Sequence, residues 1–116
     1  MSSKKIVEEA FQQIWNEGKV DLVEKYYSKD FKAHYPFFPW EEEGPKQIRK
    51  VVKNVRTSYP DYKETIEQII EKDEWVTVRL TITGTNTGPS PFSPEPTGKR
   101  IEFTEILICK VVDGKI

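Results

Sequence analysis

The chain has little of what several large protein classes require. Its single cysteine, Cys109, rules out an internal disulfide and suits a reducing, cytoplasmic setting. Its single histidine, His34, makes no metal site alone, because such sites gather several imidazole, thiolate or carboxylate ligands. Neither a metal nor a cofactor is expected. A dominant charge sign is also missing: 18 basic and 19 acidic residues leave a formal net charge of −1. With no basic excess to neutralise phosphates, nucleic acid is not an expected partner. No apolar run approaches a membrane span, and "MSSKKIVEEAFQ" lacks the apolar centre of a signal peptide. The glycines are not spaced as a P-loop or dinucleotide turn, and there is no glycine–serine nucleophile elbow.

What is present fits one domain spanning 1–116. Residues 3–17 carry Val7, Phe11, Ile14 and Trp15 on one stripe, which predicts a helix ended by a left-handed Gly18. Asp21 and Glu24 have capping-box spacing for a short second helix. Gly44-Pro45 opens a third helix, with Ile48, Val51, Val52 and Val55 at helical spacing to about Ser58. "YKETIEQIIEKD" reads as a strand, though its composition also suits a helix. "EWVTVRLTITG" alternates cleanly, setting Val76, Val78, Leu80 and Ile82 against Thr77, Arg79, Thr81 and Thr83. "RIEFTEILICKVV" is a further strand, followed by the hairpin signal Asp113-Gly114. Helices first and antiparallel strands after predict an α+β fold. In it, three helices cover one curved sheet and leave a cone-shaped hollow. Between two strands lies "GTNTGPSPFSPEPTGKR", with four prolines and three glycines, too long for a hairpin turn. Its stiffness lowers the entropy lost on ordering, and its central Phe92 suits a lid over the hollow or a subunit contact.

"FQQIWNEGKVDLVEKYYSKDFKAHYP", "GPKQIRKVV", "YPDYKETIEQIIEKDEWVTVRLTITGTNTG" and "PTGKRIEFTEILICKVVDGKI", in this order, resemble the SnoaL-like polyketide cyclase family. That family belongs to the nuclear-transport-factor-2-like superfamily, which also holds ketosteroid isomerase. The resemblance implies the cone-shaped α+β barrel and a small hydrophobic molecule in its central pocket. It also implies proton abstraction next to a carbonyl without a cofactor, as in a cyclase, isomerase or dehydratase. Two departures stand out. Asn86 occupies the place of a frequent family histidine. The family also runs on past "DGKI" into a strand holding its acid–base aspartate, so the last strand is expected to be truncated here. The same fold hosts non-catalytic binders, so a binding or dimerisation module is the alternative.

The candidate residues divide accordingly. His34 is either a general base or carbonyl donor, or a half-buried histidine bonded to backbone. Arg79 and Glu105 either meet in the hollow, with Glu105 moving the proton, or both face solvent. Tyr35, Trp40, Tyr59, Trp15 and Phe103 suit the lining of a flat apolar ligand's site, although for the last two plain core packing is the stronger reading. Asn86 either orients a ligand or shapes a turn, and Asp61 in "YPD" reads as structural. Cys109 reads as a small core residue. An exposed sheet edge or face predicts a homodimer.

Overall fold

The computed structural model describes residues 2–34, 44–90 and 95–116. Tyr35, Trp40 and Phe92 therefore lie outside the described residues. Helix α1, Ser3–Ala10, starts at Ser2, whose hydroxyl accepts from the Lys5 amide at 3.2 Å. The chain does not finish as one regular α-helix. Over Phe11–Asn16 it widens into a π-helical turn, with the Glu17 amide bonding back to the Gln12 carbonyl at 3.1 Å. Gly18, at φ 72°, closes the turn in the left-handed region. Ile6, Val7, Ala10, Phe11 and Ile14 are buried along one face.

The expected capping box does not form. Asp21 sits inside a 3₁₀ turn, Val20–Leu22, without capping a helix. α2 is only Val23–Tyr26, and Glu24 instead pairs with Arg49 of the third helix. α3 runs Pro45–Ser58 with proline in its first turn and Ile48 and Val52 buried. Gly44 precedes it at φ 78°, where a Cβ would lie 2.6 Å from the Lys29 carbonyl oxygen.

The sheet holds β1 (Lys63–Lys72), β2 (Trp75–Thr85) and β3 (Arg100–Lys110), antiparallel in the order β1-β2-β3. The ambiguous segment 62–73 thus forms a strand over Lys63–Lys72. Its helix-like spacing has a local cause: the register shifts between Ile66 and Gln68. That extra residue returns Ile69 to the face of Ile66, so a three-residue interval survives in an extended chain. β2 keeps the expected alternation, with Val76, Val78, Leu80 and Ile82 all buried under the helices. Full burial of each such side chain contributes roughly 1.5–3 kcal/mol. The Asp113-Gly114 turn forms as read, bridging Val112 to Lys115. Ile116 then bonds the segment after α2: its amide donates to the Tyr26 carbonyl and its carbonyl accepts from the Ser28 amide, both at 2.8 Å.

The long loop is stapled to the end of α3. Gly88 donates to the Ser58 carbonyl at 3.1 Å, and the Ser58 hydroxyl donates to the Pro89 carbonyl at 2.8 Å. Among the described residues no helix is long and apolar enough to cross a membrane.

Candidate functional site

Strand pairing assigns the faces. Glu64 and Phe103 lie opposite Ile82 on either side, and Ile66 and Glu105 lie opposite Leu80. All six therefore share the face turned to the helices. Two carboxyl groups, Glu64 and Glu105, thus stand diagonally across β2 on a largely apolar wall, and a third, Glu71 opposite Val76, lies at its exposed end.

Glu64 is the more deeply held, with only 8% of its surface exposed. Its main chain is clamped by Asn16, at the end of the π-helical turn. The Asn16 carboxamide oxygen accepts from the Glu64 amide at 2.6 Å, and its nitrogen donates to the Glu64 carbonyl at 2.9 Å. A side chain thereby replaces the neighbouring strand that edge strand β1 lacks. The Tyr62 hydroxyl donates to Glu64 Oε2 at 2.5 Å. Oε1 has no hydrogen-bonding partner among the described residues. Burial pushes the carboxyl up to about 7; the Tyr62 hydroxyl offsets part of the rise, and the charge of Glu105 adds to it. Glu64 also lines a cleft of about 490 Å³ between α1 and β1, with Phe11, Asn16, Ile66 and Ile69.

Glu105 is partly buried, and that burial raises its carboxyl above the ordinary value. Phe103, on the same wall, remains 45% exposed, so the inner face is not closed by packing there. Cys109 shares this wall, opposite Val76, and its thiol is pushed up to about 11 by burial and then by the Glu64 charge. A thiol so disposed is a poor nucleophile near neutral pH.

The other sequence-derived candidates are distributed differently. Arg79 is exposed and lies opposite Gln68 and Ile106, on the face turned away from the helices. Because Glu105 lies opposite Leu80, strand parity sets these two charges on opposite sides of the sheet, and they cannot form an ion pair in the hollow. Asn86 is buried, but its carboxamide serves the loop. It donates to the Ser58 and Gly88 carbonyls, each at 3.2 Å, and accepts from the Thr97 amide at 2.7 Å. It is a loop staple and does not present itself to a ligand. His34 is exposed on the segment after α2. Tyr59 packs over Gly84, whose Cβ would meet its ring at 3.2 Å. Trp15 is partly buried against the core, its indole donating to the Tyr27 hydroxyl at 3.0 Å. Asp61 accepts from the Thr85 amide at 2.6 Å, tying the turn before β1 to the end of β2.

Glu64 was not among the sequence-derived candidates. The available signal was parity: once 63–72 is a strand with Ile66 facing in, Glu64 must face in beside it. Among the described residues no cluster of three histidine, cysteine or acidic side chains could hold a metal ion.

A helical layer over a curled antiparallel sheet, with isolated acids on the apolar inner wall, defines the α+β cone used by small-molecule enzymes. Solved structures share it. TsrD from Streptomyces laurentii matches with TM-score 0.82 and 21% identity over 97% of this chain and 81% of that one. A SnoaL-like polyketide cyclase from Agrobacterium tumefaciens matches with TM-score 0.78 and 16% identity over 99% and 85%. An LEH-like epoxide hydrolase from M. tuberculosis matches with TM-score 0.73 and 17% identity over 97% and 71%. Identities this low establish the shared fold alone. No curated protein matches the chain. The profile of the SnoaL-like polyketide cyclase family matches residues 5–116, and the chain belongs to that family.

Proposed function

We propose that the protein is a cofactor-independent enzyme that moves a proton next to the carbonyl of a small hydrophobic compound, in a cyclisation, isomerisation or elimination. The observation that carries this reading is Glu105. It is a half-buried carboxyl on an apolar wall, beside a Phe103 ring that packing leaves partly open. A carboxylate with reduced hydration is a stronger base than one in water, and a raised pKa brings it closer to the pH at which it works. The family match and the cyclase and hydrolase names of the similar structures support the reaction class. Exchange of the protons next to the carbonyl of 2-tetralone, followed by NMR in D₂O, tests it. Enzyme-dependent exchange that Glu105→Gln abolishes is the expected result. Exchange at the buffer rate with the wild-type protein, across a panel of small cyclic ketones, would refute it.

The second reading, a binding module assembled as a homodimer, draws on the outer sheet face. Ile70 and Ile108 flank Thr77 there, and Ile106 flanks Arg79. Ile106 and Ile108 are 65% and 69% exposed, and Trp75 on the same face is 47% exposed. An apolar row crossing three strands suits a matching row on a second copy, because a two-fold axis brings the same patch against itself. This assembly is compatible with catalysis on the opposite face. A cytoplasmic setting, suited by one partly buried thiol, belongs to the same reading.

A further inference from the structure

We propose that the cleft between Gly18 and the second half of α3 binds a phosphate monoester of a small organic alcohol. The site is independent of the proton chemistry proposed for Glu105. The sequence of α3, PKQIRKVVKNVRTS, holds Lys46, Arg49, Lys50, Lys53 and Arg56 and no acid. In a chain with 18 basic and 19 acidic residues, that sets a positive potential along one helix which the overall composition does not show. Arg49 is answered by Glu24 of α2. Lys53 and Arg56 have no carboxylate within ion-pair distance among the described residues. They stand three residues apart on the helix, so their side chains share a face. Both line a cleft of about 460 Å³, a size within the range of small-molecule sites.

Arg56 is built into this cleft. Its Nη1 donates to the Trp15 carbonyl at 3.0 Å and to the Tyr62 carbonyl at 3.2 Å. Those bonds hold the guanidinium between the π-helical turn and the start of β1. The opposite wall leaves space for it: Gly18 sits at φ 72°, and a Cβ there would lie 3.0 Å from Arg56 Nε. Two carbonyls satisfy hydrogen bonds but neutralise no charge. A partly buried cation without a counter-ion is costly, and a bound anion relieves that cost.

The lining selects the anion. Glu17, the acid in the lining, is already paired with Lys19 at 2.9 Å. Lys53 and Arg56 remain as two uncommitted positive charges, which suits a dianion. A guanidinium fork, an ammonium and the Thr57 hydroxyl are donors of the kind that the terminal oxygens of a phosphate accept. The C-terminal end of α3 opposes an anion with roughly half an elementary charge, less than either cation supplies. Val20 and the buried Val52 add an apolar wall, against which the carbon skeleton of the alcohol packs.

Titration of ¹⁵N-labelled protein with phenyl phosphate at low salt, followed by NMR, tests the site. Saturable shifts are expected at the Gly18, Lys53 and Thr57 amides and at the Arg56 Nε–H. Inorganic phosphate should shift the same signals but bind more weakly, by about threefold or more, because it leaves the valine wall uncovered. Lys53→Ala should weaken phenyl phosphate by about tenfold. Lys50→Ala, on the same helix but outside the cleft lining, should weaken it by less than about twofold. Affinity should rise from pH 5 to pH 7, as the ester loses its second proton near about pH 6. Shifts that never saturate, or that weaken equally in the two lysine variants, would reduce the effect to charge screening along α3 and overturn the site. Equal affinity at pH 5 and pH 7, or benzoate binding as tightly as phenyl phosphate, would overturn the assignment to a phosphate dianion.

Discussion

Glu64 makes this fold less stable as the pH rises, the reverse of the usual carboxylate behaviour. An ordinary glutamate releases its proton near 4.5, whereas Glu64 in the folded protein holds it to about 7. Below pH 4.5 both folded and unfolded states are protonated and the group contributes no difference. Between 4.5 and 7 the unfolded chain ionises first, so the folded state binds the additional proton and stability falls with rising pH. At about 1.4 kcal/mol per pH unit, the full penalty above pH 7 is about 3 kcal/mol, a large share of the 5–15 kcal/mol typical of a domain. Glu64→Gln keeps an acceptor for Tyr62 but cannot ionise. Urea unfolding followed by circular dichroism should find the variant and wild type close at pH 5. At pH 8 the variant should be the more stable by about 2–3 kcal/mol. The groups held below their ordinary values, Glu17 by Lys19, Glu24 by Arg49 and Asp61 by Thr85, act below about pH 4.5 with the opposite sign and stay outside this window. Parallel stability curves for the two proteins from pH 5 to 8 would refute the buried, uncompensated carboxyl.

Other perturbations follow from particular contacts. Gly88→Ala would place a Cβ 1.8 Å from the Thr57 carbonyl oxygen. The loop must lift off α3 and lose its bonds to Ser58, at about 2–4 kcal/mol in denaturant melts. Gly98→Ala meets nothing within 4 Å, and should cost only the roughly 1–2 kcal/mol of a left-handed alanine. Equal costs at the two positions would contradict the staple. Asn16→Ala should destabilise by about 1–3 kcal/mol and speed hydrogen exchange at the Glu64 amide more than at β2 amides. Ile106→Glu with Ile108→Glu should convert a dimer to a monomer in sedimentation without altering the far-ultraviolet spectrum; a wild-type monomer at high concentration would remove the outer-face interface.

The period of apolar residues was enough for α3, β2 and the Asp113-Gly114 turn, because each has local cues that tertiary contacts do not contradict. It failed at the capping box, since Asp21 and Glu24 have the right spacing but Asp21 lies inside a 3₁₀ turn and Glu24 pairs with Arg49, distant in sequence. It was ambiguous at β1, where a bulge imitates the helical interval. The candidate site was legible only in part. Glu105 stood out as a charge in mid-strand, yet parity divides a strand into two faces without naming the covered one. That is why Arg79 was as eligible as Glu105, and why Glu64 passed unnoticed.

The amino-acid order by itself determined the antiparallel strands, the three-helix lead and the family, since these rest on short-range spacing and on an ordered set of motifs. The tertiary structure alone decided which carboxyl groups lose their water. Desolvation arises when α1 and the π-helical turn close over one side of the sheet, and no local pattern records which side that will be. It turned Asn86 into a loop staple, sent Arg79 to solvent, and gave Glu64 the environment of an acid.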